Sequence, residues 1–146
     1  MDIGAYIIAR FSRLLNAPSH LVGCDGERID AMEMGRLGER IAAAWLRANG
    51  CKILYKNFRA PRGGEVDIVA REGKLLLFTE VKTRRAGTRI RGYEAVGKDK
   101  QRLIERGANE WLRLLGTREL PWRFDVIEVY LEHGDLPRVH RVQDAF

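Results

Sequence analysis

The stretch Gly63 to Lys82, GGEVDIVAREGKLLLFTEVK, constrains this chain more than any other. Strand-type residues run from Glu65 to Ala70 and again from Leu75 to Val81, with Glu72-Gly73 as the expected two-residue turn of a β-hairpin. Closing the turn there pairs Arg71 with Lys74, Val69 with Leu76, Asp67 with Phe78 and Glu65 with Glu80. Side chains alternate across a strand. One face should therefore carry Glu65, Asp67, Val69, Leu76, Phe78, Glu80 and Lys82, and the other Val66, Ile68, Ala70, Leu75, Leu77, Thr79 and Val81. Three carboxylates and a lysine thus gather at one end of one face. Like charges set opposite one another repel, so something positive belongs among them. Lys82 is one candidate and a divalent metal the other, because hard oxygen ligands suit Mg²⁺ or Mn²⁺. A solvated strand end with a salt bridge is the plainer alternative.

The rest of the chain supplies the setting. Its 146 residues suit one domain with a real core. A net charge of +6 points to a polyanionic partner. Cys24 and Cys51 are the only cysteines, so neither a disulfide framework nor a zinc site is indicated. The sequence holds no apolar run of membrane-spanning length, and no secretory leader and a cytoplasmic location are expected.

Residues 1–29 read as an appendage. Tyr6 to Leu15 has helical apolar spacing that suits packing on the domain, a protein partner or a membrane surface, and Asn16 to Arg28 reads as a linker. The main domain is expected over 30–146. Asp30-Ala-Met-Glu33 is a capping box for a helix ending near Asn49-Gly50. Leu37, Ile41, Ala44 and Trp45 lie on its apolar arc, and Arg36, Arg40 and Arg47 form a basic stripe opposite. Glu39 falls on the boundary, either looking into a site at the sheet edge or pairing with an arginine. Gly35 and Gly38 weaken this helix unless another backbone comes close.

A strand is expected over Cys51–Arg59. After the hairpin comes TRRAGTRIRGYEAVGKDK, where Arg84, Arg85, Arg89, Arg91, Lys98 and Lys100 outweigh Glu94 and Asp99. It is the strongest phosphate-contacting segment in the sequence, unless it is simply a solvated loop. A second helix covers about Asp99 to Leu115, with Lys100 in its apolar arc and aimed at the core edge. Arg123 to Leu131 is a strand, and Val139 to Gln143 adds a short one. The order α-β-β-β-α-β(-β) predicts an α/β fold, a mixed sheet flanked by helices.

Asp67 followed by Glu80-Val81-Lys82 has the spacing of the PD-(D/E)xK nucleases. With GRLGERIAAAWLRANGCKILYKNFR, GGEVDIVA, LLLFTEVKTRR, GYEAV, KQRL and RFDVIEV it resembles the YraN-like family, over roughly Gly35 to Val129. The resemblance implies a restriction-endonuclease-like core and metal-dependent hydrolysis of phosphodiester bonds in DNA, with branched or processed structures as substrates by analogy with resolvases. It implies that Asp67, Glu80 and the Val81 carbonyl ligate Mg²⁺ or Mn²⁺. Lys82 would orient or help deprotonate the attacking water, and Glu39 would complete the acidic site as a further metal ligand, directly or through water. Glu65 would support these residues from behind, and Lys100 and Gln101 would touch the scissile strand. Val66 stands where the broad signature has proline. A non-catalytic nucleic-acid-binding module on the same fold is the alternative, followed by an assembly protein acting through its N-terminal helix. A homodimer would suit cutting two strands.

Overall fold

The computed structural model describes residues 13–86 and 96–146. Most of the Tyr6–Leu15 helix, together with Arg89, Arg91, Tyr93 and Glu94, lies outside the described residues. The order of elements is α1 (Ala31–Ala48), β1 (Lys52–Arg59), β2 (Glu65–Glu72), β3 (Leu75–Arg85), α2 (Lys98–Leu115), β4 (Trp122–Leu131) and β5 (Arg138–Val142). The strands form one sheet in sequence order. Every neighbouring pair is antiparallel except β3 and β4, which run parallel with α2 as their crossover. The mixed α/β architecture expected from the sequence is the one found.

Capping and burial explain the helices. Asp30 Oδ1 accepts from the Glu33 amide at 2.8 Å and starts α1. Its buried face, with Ile41, Ala42, Ala43 and Leu46, packs with Ile68, Ala70, Leu77, Ile127 and Val129 on one side of the sheet. Gly38 is explained by close packing, because a Cβ there would overlap the Thr83 side chain. Gly35 has open space around it. On the other side Ile104, Ala108 and Leu112 of α2 meet Val69, Leu76, Phe78 and Val126. Neither helix is long and apolar enough to cross a membrane.

Three expectations need correction. The hairpin turn is Gly73-Lys74, not Glu72-Gly73, because Gly73 takes φ +59°, which costs glycine nothing. The register therefore moves by two residues, pairing Val69 with Phe78 and Ile68 with Thr79. A two-residue shift keeps each side chain on its face but changes its opposite number. Val66 is the exception to that face assignment. It packs with Val69 on the α2 side rather than with Ile68, at the point where β2 leaves the β3 ladder. Lastly, the segment read as a linker is tied to the domain. Leu21 is buried in the α1-side core, its amide donates to His133 Nδ1 at 3.0 Å, and the Ile29 amide donates to the Leu21 carbonyl.

Candidate functional site

The site forms where β2 and β3 part. Their paired ladder ends at Ile68–Thr79. One step further the same register sets Asp67 abreast of Glu80, where the expected register put Glu65. Instead of another backbone pair, the Val81 amide donates to Asp67 Oδ2 at 2.8 Å. The carboxylate thus takes the place of a missing strand carbonyl and is fixed beside Glu80.

Glu80 is 8% exposed. Its Oε2 is buried and, as a carboxylate oxygen, has no hydrogen-bond donor. Burial first, and then the charge of Asp67, push its pKa up to about 8, with Lys100 opposing the rise. Once protonated, Glu80 can share a hydrogen bond with Asp67, which also favours the neutral acid.

A positive group does stand among the carboxylates, and it comes from α2. Lys100 Nζ bonds Glu65 Oε1 and stands 3.6 Å from Glu80 Oε1. Burial alone would lower the Lys100 pKa, but Glu65, Glu80 and Asp67 raise it. Glu65 also receives Arg59 at 2.9 Å. Its pKa is lowered, chiefly by the bond from Lys100. What makes this reach possible is close packing of α2 on the start of β2. A Cβ on Gly64 would stand 2.6 Å from the Gly107 nitrogen, and one on Gly107 would stand 2.9 Å from Val66 Cγ2. Real side chains do not approach so closely, so the paired glycines set the helix against the strand.

Glu39 approaches from α1. Its pKa is raised, by burial and then by the negative charge of Asp67, and a hydrogen bond with Asn57 partly offsets this. A cavity of about 360 Å³, lined by Glu39, Val81, Thr83 and Arg85 among others, opens beside it. Asn57 was not singled out from the sequence. It lies between the Lys56–Ile68 and Phe58–Val66 pairs, hence directly across β1 from Asp67, and takes φ +55° within a strand. Asparagine tolerates that left-handed conformation better than most residues. An asparagine inside a strand pattern, next to the segment opposite Asp67, was the available signal.

Other expected residues are placed as follows. Lys82 lies on β3 abreast of Glu128 of β4. Arg84 and Arg85, expected to contact nucleic acid, face the protein's own groups. Arg84 Nε is 3.7 Å from the buried Glu128, and Arg85 donates to the Ile29 carbonyl at 3.0 Å. Gln101 donates to the Val96 carbonyl at 2.7 Å and so ties the entry to α2 rather than reaching outward. Lys98, Arg36 and Arg40 are all exposed at the surface.

Among the described residues, no group of three or more His, Cys, Asp or Glu side chains is disposed to hold a metal. The carboxylates that stand together and could meet a cation are Asp67 and Glu80, with Asp67 fixed by the Val81 amide. They fit a hard divalent ion on one structural ground: Glu80 has a buried oxygen without a donor, in a cluster whose mutual repulsion Lys100 does not fully relieve.

Comparison with known proteins agrees with the motifs. Residues 38–129 match the model of "Uncharacterised protein family UPF0102". A UPF0102 protein of Geobacter sulfurreducens is 45% identical over 113 residues, covering 77% of this chain and 88% of the relative. One from Rhodococcus jostii is 44% identical over 115 residues, covering 79% and 97%. One from Anaeromyxobacter dehalogenans is 40% identical over 124 residues, covering 85% and 91%. With its family model and its long, close matches in agreement, the chain belongs to the UPF0102 family, the YraN-like proteins.

Proposed function

We propose that the protein is a metal-dependent endonuclease that hydrolyses phosphodiester bonds in DNA, with branched or processed structures as its substrates. The observation that carries this reading is the Asp67–Glu80 pair at the parted strands, with the orphaned Glu80 oxygen. Structural carboxylates are normally supplied with donors. This pair is held together and left under-compensated, as a cation site requires.

Asp67, Glu80 and the Val81 carbonyl would hold Mg²⁺ or Mn²⁺. Such an ion lowers the pKa of water and offsets charge on a phosphate. The Val81 amide keeps Asp67 oriented towards Glu80. Lys100 holds Glu65 and leans on Glu80, restraining two carboxylates that would otherwise repel. Lys82, two residues beyond Glu80 on β3, is the residue assigned to orient the attacking water. Glu39 adds negative charge from α1, with Asn57 fixing its carboxylate.

A non-catalytic nucleic-acid-binding module has one observation in its favour: Lys100 already bridges Glu65 and Glu80. Labelled single-stranded, duplex, flap and four-way-junction DNAs incubated with Mg²⁺ or Mn²⁺ separate the two readings. A nuclease cuts at least one of them, and both EDTA and Asp67→Asn abolish the cut. Binding across the panel without any cut would favour the module.

A further inference from the structure

An arginine-lined cleft lies outside the carboxylate cluster and adjoins it. The β1–β2 connection and one flank of α2 enclose an open cavity of about 830 Å³. Its wall carries Arg62, Arg106, Arg113 and Arg118 against a single acid, Glu110. Arg113 grips Glu110 through two bonds, 2.9 and 2.6 Å, so that acid is already matched. Arg118 is steadied at 3.1 Å by Asn109 Oδ1, a neutral acceptor that orients a guanidinium without cancelling its charge. Arg62, Arg106 and Arg118 therefore remain as net positive charge, and all three are exposed. Guanidinium forks suit phosphate oxygens better than point charges do.

Chain connectivity ties the cleft to the site. Gly63 lines it, Gly64 packs on Arg106 and Gly107, and the next residue is Glu65, held by Lys100. From Lys100 to Arg113 the rise along α2 is about 20 Å at 1.5 Å per residue. That spans about six nucleotides of a duplex strand at 3.4 Å each. We propose that this cleft binds the sugar–phosphate backbone of the substrate on one side of the scissile bond, through Arg62, Arg106 and Arg118. The proposal rests on the nuclease reading above, and it assigns substrate contact to the β1–β2 connection and α2, in addition to the basic segment after β3.

The test is binding of a fluorescent DNA duplex in EDTA across a salt series. It compares wild type, Arg62→Ala/Arg106→Ala, and Lys52→Ala/Arg71→Ala. The last pair removes the same charge from exposed positions at the opposite end of the hairpin. The cleft variant should lose at least about tenfold in affinity at low salt. The slope of log K against log[salt] should become shallower by about 2, one for each phosphate that the variant no longer neutralises. The control should keep the wild-type slope, and thermal melts of all three should coincide. Equal weakening of the cleft and control variants would mean a diffuse field rather than a site, and would overturn the proposal. Wild type that binds and cuts DNA, with a cleft variant that matches it, would overturn this proposal alone. Wild type that binds neither this duplex nor the flap and four-way-junction DNAs would overturn this proposal and the nuclease reading together.

Discussion

Two buried acidic clusters lie in the same sheet and are treated in opposite ways. Around Asp125, 1% exposed on β4, Arg123 bonds Oδ1 at 2.7 Å, Arg141 bonds Oδ2 at 2.9 Å, and the Asp144 amide donates at 3.1 Å. Glu72 receives Arg141 at 3.0 Å and completes the set. Each Asp125 oxygen has its donors, and β4, β5 and the end of β2 are stapled together. Around Glu80 the same kind of burial meets two further carboxylates, with Lys100 between Glu65 and Glu80, and an oxygen goes without a donor. Burial alone therefore does not mark a site. What distinguishes Glu80 is the oxygen left unsupplied, in a chain that has arginines in plenty.

Four measurements probe that contrast. The largest effect is expected at the satisfied cluster. Asp125→Ala leaves Arg123 and Arg141 without their buried acid and should cost about 3–5 kcal/mol in a denaturant melt. A loss below about 1 kcal/mol would show the network to be dispensable. At the open cluster Asp67→Asn should instead leave the melt within about 1 kcal/mol of wild type while removing cleavage. Residual cutting at the wild-type rate would undo the assignment of Asp67.

Glu80→Gln should stabilise the metal-free protein. The folded pKa of Glu80, about 8, lies above its ordinary 4.5. Between those values the native state binds more protons than the unfolded one, so wild-type stability falls as pH rises. Glutamine does not titrate. The variant should match wild type near pH 4 and exceed it by about 1–3 kcal/mol above pH 8, less than the full shift allows because Asp67 and Lys100 readjust. A difference that stays constant with pH would refute the raised pKa. The smallest effect belongs to Asn57. Asn57→Gly keeps the left-handed backbone and loses only the bond to Glu39, so its stability should change by less than about 1 kcal/mol. Asn57→Val, β-branched at positive φ, should cost about 1–2 kcal/mol. Equal melts for the two would remove backbone conformation as the reason for Asn57.

Much of this was legible in the sequence because it depends on short-range rules. The capping box at Asp30 and Glu33, the alternation in β3 and the arc of α2 each follow from local periodicity. So does the placing of Lys100 at the core edge; periodicity leaves open whether it meets a phosphate, the carboxylates or solvent, and the fold brings it to Glu65 and Glu80. The hairpin register is two residues away from the expected one, because either two-residue loop satisfies the alternation and only the φ of Gly73 selects one. Arg84 and Arg85 look in the sequence like loop charges available to a ligand. Their protein partners, Glu128 and the Ile29 carbonyl, are far away along the chain and no local pattern announces them.

By itself the sequence determined which residue types meet at one end of the hairpin, and that both helices have a single face to bury. Spacing of 2 and 3.6 residues carries that information along the chain. Only the tertiary structure decided that β2 and β3 part at Asp67, that Glu80 lacks a donor while Asp125 has several, and that Gly64 and Gly107 bring Lys100 to Glu65. Those outcomes depend on how closely distant backbones approach and on which charges share a buried volume, and both are set by packing in three dimensions.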